Sequence, residues 1–404
     1  MEPKARILFV DDEPRMLTAL RRSMLDMDDE WEMVFCDGGA AALDEMARQP
    51  ADVVVSDMRM PSIDGARLLD EIRTRFPAAV RVILSGFAET DSVLRTVGPA
   101  HVYLSKPCAA ETLIEAIRRP LSLRHLLVDP VLWATIGGLS SLPSLPRVFV
   151  EIRNELRSPN ASVASIAALL SADVTMKAEI LKLTNSSFFS LGAKVSTALQ
   201  AVRILGMETL QTLVLEVGLF RQFAGDPALA AVLESVNRYG LSLGHLAGQL
   251  AKAADLDEEA AGAARCAAML SVVGVLILLD SRPDRMRAVF TGAAGPLATV
   301  ERDGLGTTHH LVGAGLLGLW GFSDDVVEAV AYAAEPALAR RWDNPILPVV
   351  HAATALGPRF PLLAPAAGDG VALDTAFMIE ARRDGVLKRW RQVAENFAGG
   401  ERDV

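Results

Sequence analysis

Val53–Gly65 reads VVVSDMRMPSIDG. Three consecutive valines run into Ser56 and Asp57, and Pro61, Asp64 and Gly65 then break the chain. A short β-branched run ended by turn residues reads as a strand covered on both faces. The same grammar recurs on either side. Ile7–Val10 leads into Asp11 and Asp12, Val80–Leu84 into Ser85, and Val102–Leu104 into Ser105 and Lys106; a weaker run covers Met33–Cys36. Between them lie segments of helical period at Pro14–Met27, Ala40–Arg48, Ala66–Phe76, Thr90–Thr96 and Ala109–Arg118. Strand–helix alternation of this kind predicts an α/β doubly wound domain over residues 1–120, with a five-stranded parallel sheet.

Each chemically capable residue of this region follows a strand. In a parallel sheet all strand carboxyl ends share one edge, where ligands bind at the topological switch point. Four separate stretches therefore converge on one pocket holding Asp11, Asp12, Asp57, Ser85 and Lys106. Taken singly, Asp11 or Asp57 reads equally well as a solvated loop end; the agreement of four strand ends is what argues for a site. Three carboxylates repel one another unless a cation joins them, and Mg2+ prefers such oxygen ligands. A carboxylate can attack a phosphoryl group, a lysine can neutralise its oxygens, and a serine can hydrogen-bond it afterwards.

The pieces ILFVDDEP, VVSDMRMPSIDG, VILSG and YLSKP resemble the receiver domains of bacterial two-component response regulators, over about 115 residues. The resemblance implies a flavodoxin-like fold with Asp57 as phosphoacceptor. It implies Mg2+ held by Asp11, Asp12, Asp57 and the backbone carbonyl of Arg59. It places Lys106 on a phosphoryl oxygen, Ser85 and Tyr103 as the switch pair, and a cis bond at Lys106–Pro107. An aromatic at position 103 also reads as plain packing.

After Pro120 the strands fade and the chain becomes Ala/Leu-rich and helical. Pro120, Pro130, Gly137 and Gly138 punctuate a linker over 121–137, part of which, SLRHLLV, has helical spacing. Within residues 138–335, LSSLPSLPRVFVEI, IAALLSADVTMKAEILKLTNSSFFS, ALQAVRILGMETLQTLVL and THHLVGAGLLGLWGF resemble the HDOD domain, an all-α output module related to HD-type metal phosphohydrolases. The relatives' His-Asp pair would fall on Ser271 and Val272. Other ligand positions would fall near Leu241, Ala333 and Ala334, with His310 remaining. Valine and alanine cannot ligate a metal, so the resemblance implies a helical domain without metal or other cofactor. His245, His309, His310 and His351 show no ligand spacing and read as surface or hydrogen-bonded histidines. Asn185, Ser186 and Ser187 read as a polar helix end. The apolar run Ala267–Leu279 reads as one buried core helix, too short to span a bilayer. Residues 336–404 read as a helical extension, with Trp390 as a packing anchor.

The chain has 404 residues, 51 % of them apolar, with net charge −10. That supports two or more cores and lacks the basic footprint of a nucleic-acid binder. Cys36, Cys108 and Cys266 show neither metal spacing nor a disulfide framework. With no leader pattern in MEPKARILFVDDEP, a cytoplasmic protein away from membranes is expected. The expected function is a phosphorylation-controlled regulator, not an enzyme in the usual sense. It would be fed by a sensor histidine kinase and act through a protein partner or a second copy of itself, without binding DNA. The competing class is a metal-dependent cyclic-nucleotide phosphodiesterase, or a nucleotide-binding sensor, of HD type.

Overall fold

The computed structural model describes residues 4–86, 99–127, 129–144, 146–158, 160–185, 195–214, 221–222, 227–292, 296–339, 341, 343–360 and 371–400. The helix expected at Thr90–Thr96, and Ser186 and Ser187, lie outside them.

Strands β1 (Ala5–Val10), β2 (Trp31–Cys36), β3 (Val53–Asp57), β4 (Val80–Gly86) and β5 (Val102–Lys106) form one parallel sheet in the order β2-β1-β3-β4-β5. Ile7, Val53 and Val80 stand side by side in register, and Gly86 pairs with Lys106. Burial of the strands is continuous rather than alternating, as two covered faces require. The helices are α1 (Pro14–Ser23), α2 (Gly39–Arg48), α3 (Gly65–Arg75) and α4 (Ala110–Ser122). Helix α1 ends four residues short of the expected Met27, and Leu25–Met27 forms a single 3-10 turn instead. Chain order reverses on either side of β1, so the switch point opens between β1 and β3.

The connector is more fully helical than the partly helical linker expected. Helix α4 runs through Pro120, a 3-10 turn covers Leu123–Leu126, and α5 (Pro130–Gly138) follows, capped by the Asp129 carboxylate on the Val131 N–H. Helix α5 is docked on the sheet's other end: Trp133 Nε1 donates to Ala78 O at 3.1 Å. Its last carbonyls are tied by Arg81, whose Nη2 donates to Gly137 O at 2.6 Å.

The rest is helical: α6 (Pro146–Leu156), α7 (Val163–Ser171), α8 (Val174–Thr184), α9 (Ala198–Leu205), α10 (Met207–Thr212), α11 (Pro227–Ala253), α12 (Glu258–Leu270), α13 (Val273–Ser281), α14 (Pro283–Gly292), α15 (Leu297–Leu305), α16 (His309–Leu319), α17 (Asp324–Ala331), α18 (Leu347–Leu356), α19 (Thr375–Glu380) and α20 (Leu387–Gly400). Pro143–Ser144 and Arg221–Gln222 add a short parallel pair. Helices α11 and α12 pack along each other, α13 lies on α16, and α18 and α20 cover α11. Trp390 is fully buried and donates from Nε1 to Leu250 O at 2.9 Å, the anchor role expected of it.

The run Ala267–Leu279 is two helices, not one. Ser271 takes the Ala268 carbonyl with its hydroxyl at 2.7 Å, and the chain turns before α13 begins. Gly274 then meets α16 so closely that a Cβ there would lie 1.9 Å from His309 O. Counted together, Glu258–Ser281 is long and apolar enough to cross a membrane. However, 89 % of its apolar window is buried inside the protein, as a core pair would be.

Candidate functional site

Asp57 is the last residue of β3, and Asp11 is the residue after β1. Both are buried, and Lys106, the last residue of β5, reaches them. Lys106 Nζ is ion-paired with Asp57 Oδ1 and donates to Asp11 Oδ2 at 3.1 Å. Three strand ends therefore meet on one ammonium. Backbone donors hold the carboxylates: Arg59 N–H donates to Asp57 Oδ2 at 2.8 Å, and Glu13 N–H to Asp11 Oδ1 at 2.9 Å. Arg59 touches the site through this backbone group while its side chain is exposed. Asp12 is half-buried, and among the described residues no hydrogen bond ties it to the others. Ser85 is buried one position beyond Leu84, the register partner of Asp57. Tyr103 is buried, with its hydroxyl on Ala100 O at 3.3 Å. Lys106–Pro107 is cis, as expected.

Backbone packing fixes where Asp57 points. Gly65 opens α3 directly beneath it: a Cβ there would stand 2.2 Å from Asp57 O. Met58 N–H donates to Leu84 O, and Gly65 N–H to Met58 O, so the loop after β3 folds back along the sheet edge.

Electrostatics follow from burial. Desolvation lifts the Asp57 carboxyl above the usual carboxylate range, and the neighbouring Asp11 adds to this; Lys106 opposes it only in part. Burial alone would lower Lys106, but its hydrogen bond and charge contact with Asp57, then Asp11, outweigh that and raise it. The site thus holds more negative charge than one lysine neutralises. Among the described residues no three His, Cys, Asp or Glu side chains gather as a ready metal cage. Mg2+ does not need one, since it takes one or two carboxylates and keeps several waters. Asp11 and Asp57 already share a single cation, Lys106, so the donor set fits.

In the helical region Ser271, Val272 and Ala333 are buried among apolar neighbours. Three of the four histidines are not on the surface. His309 is buried with Nδ1 2.6 Å from Glu301 Oε1, and its ring centroid is 3.9 Å from that of His310. Burial holds His310 well below the usual imidazole range. His351 is buried between Ala333 O and the Asp374 N–H. His245 is exposed and meets Phe397 edge-on. The Glu301–His309 pair was not visible in the sequence: its members sit in different helices, eight positions apart.

The sequence profile of the response regulator receiver domain matches residues 7–118, and that of the HDOD domain matches residues 142–336. The chain is 32 % identical over 130 residues to the hydrogenase transcriptional regulatory protein HoxA of Cupriavidus necator; the match covers 32 % of this chain and 26 % of that one. It is 33 % identical over 116 residues to the response regulator protein FleR of Pseudomonas aeruginosa, covering 28 % and 24 % respectively. The chain thus spans about a quarter of the length of these relatives. Among solved structures, the signal receiver domain of an HD domain-containing protein from Pseudomonas fluorescens is 27 % identical, with TM-score 0.27, covering 31 % of this chain and 92 % of that one. The two profiles fall in sequence order on the sheet and on the helical region, and the chain is a response regulator that joins an N-terminal receiver domain to an HDOD domain.

Proposed function

We propose that the chain is a phosphorylation-controlled switch in which Asp57 accepts the phosphoryl group and the HDOD domain acts by binding. The observation that carries this reading is the meeting of Asp57, Asp11 and Lys106 at three strand ends. An Asp57 carboxylate oxygen attacks phosphorus, and the bond to the donor's nitrogen breaks, leaving an acyl phosphate. Lys106 neutralises an oxygen of the transferred group, and the Ser85 hydroxyl hydrogen-bonds another. Asp11, Asp12, Asp57 and the Arg59 carbonyl would hold Mg2+, which supplies further charge neutralisation when bound. The donor would be a sensor histidine kinase.

The output follows from what the switch residues touch. Phosphorylation adds about −1.5 to −2 charges to the strand ends. Strand β5 and α4 face the helical domain: Arg119 of α4 pairs with Asp324 of α17 at 2.6 Å and donates to Gly321 O at 3.4 Å. Tyr103 and Trp320 line one cavity between the two domains. A phosphoryl group that moves Ser85 and Tyr103 therefore biases the joint, as a population shift between docked and altered arrangements. Apolar and hydroxyl side chains at Ser271, Val272 and Ala333 support a helical domain that binds rather than hydrolyses. We place the protein in the cytoplasm, acting on a protein partner or a second copy of itself, without contact with membrane or DNA.

A pull-down with native chain and Asp57→Asn, each with and without a small-molecule phosphodonor, tests this. The expected result is a bound set, or an affinity, that changes with donor only in the native chain. The same partners at the same affinity in all four states would contradict it.

A further inference from the structure

Between the two domains lies a cavity of about 260 Å³, walled by β5 and α4 on one side and by α8 and the end of α16 on the other. It is just under the usual range for small-molecule sites, roughly 300–1,000 Å³. Lys182 of α8 lines it and is 2 % exposed. Its ammonium lies 4.4 Å from the centre of the Trp320 ring. Among the described residues no hydrogen-bond acceptor and no carboxylate within ion-pair reach meets it. Glu179, one turn earlier, acts on it only at longer range, its own Oε1 accepting the Leu142 N–H at 2.9 Å. Burial lowers the pKa of Lys182, with Glu179 opposing this and Arg81 adding to it, so an anion that entered would both pair with the ammonium and favour its charged form.

Two more donors, one from each wall, lack acceptors. Trp320 Nε1 is buried and donates to nothing among the described residues, and neither does Arg119 Nη2. Arg119 is paired with Asp324 through Nε, which leaves this outer nitrogen spare. Arg81 lies close enough to act on Lys182, and its donors go to backbone carbonyls and His101 rather than to a carboxylate. His101 also lines the cavity, and burial holds it neutral. The acid on the wall, Glu115, is exposed to solvent.

We propose that this interdomain cavity binds a small phosphate-bearing anion, inorganic phosphate or the monoester of a small metabolite, with Lys182 as its counter-charge. Phosphate suits three separated donors because it offers several acceptor oxygens, and a lysine binds it as a point charge. The Tyr103 and Trp320 rings can cover a small apolar body behind it. Both domains supply the walls, so bound anion and separated domains exclude one another by linkage. That consequence rests on the switch reading above, whereas the site itself does not.

The test is a titration of the full, unphosphorylated chain with inorganic phosphate at constant ionic strength set by chloride. Thermal unfolding and equilibrium binding are both read. The native chain should bind saturably and melt higher with phosphate. Lys182→Met should melt higher than the native chain without phosphate, because an uncompensated charge is gone, and should bind at least about tenfold more weakly. Trp320→Phe, which keeps a ring and loses the N–H, should bind about three- to tenfold more weakly. No saturable binding by the native chain, or equal binding by Lys182→Met, would overturn the proposal. If Lys182→Met does not fold, unchanged binding by Trp320→Phe overturns it and weakened binding upholds it. Failure here would leave phosphorylation of Asp57 untouched, because no phosphodonor is present.

Discussion

Burial shifts three imidazoles toward the neutral state. His101, His310 and His351 are each lowered from the ordinary imidazole value, first by desolvation; Arg81 adds to this at His101 and His309 at His310. The unfolded chain protonates them near pH 6.5, while the folded chain does not, so the unfolded state binds more protons below that pH. Their stabilisation is therefore complete above about pH 6.5 and is lost as pH falls, by up to about 1.4 kcal/mol per pH unit for each histidine. Urea unfolding between pH 7.5 and 5 should show stability falling by two to three protons' worth of slope below about pH 6. A flat profile across that interval would mean that these rings protonate freely in the fold. The catalytic candidates at this scale were legible because each follows a strand, and strand ends must converge. His101 and Lys182 were not. Neither follows a strand or belongs to a motif, and the groups they meet, Arg81 and Gly137 for His101 and Trp320 for Lys182, come from distant elements.

The helix that opens beneath Asp57 is seated by an absent side chain. Gly65 lets α3 begin against Asp57 O, where a Cβ would stand at 2.2 Å from backbone, so nothing flexible can yield. Gly65→Ala should cost about 1–3 kcal/mol in chemical denaturation and should slow phosphoryl uptake at Asp57 as well. A variant as stable and as reactive as the native chain would show that the close approach is relaxed without consequence. The strands were readable from continuous apolar runs, and α3 to within one residue, while the Asp64 carboxylate that caps it by accepting the Arg67 N–H at 2.9 Å is seen only in the structure. The break between α12 and α13 was not readable. Ser271 sits inside an unbroken apolar run, and only its hydroxyl's return to Ala268 O and the crossing at Gly274 show why the chain turns there. Helix α4 misled for the converse reason: Pro120 falls in its last turn and does not end it.

Receiver and helical domain are joined on the face that carries Tyr103, and the joint is built from groups that no single stretch announces. Arg119 and Asp324 are 205 positions apart, and Arg282, just past the end of α13, meets Asp129 of the connector at 3.1 Å. Each pair joins a largely buried arginine to a carboxylate that still reaches solvent, so screening keeps its contribution small, about 1 kcal/mol, and the docked arrangement is open to bias by a charge added at Asp57. Composition and resemblance supplied two domains in order but not their contact, because contact depends on which faces meet. The switch between the two domains requires Asp57 to take a phosphoryl group. The direct measurement is mass spectrometry of the intact chain and its peptides after incubation with acetyl phosphate and magnesium. The prediction is one added phosphoryl group, on the peptide containing Asp57, and none in Asp57→Asn. Native chain that stays unlabelled, or label that survives the substitution undiminished, would contradict it.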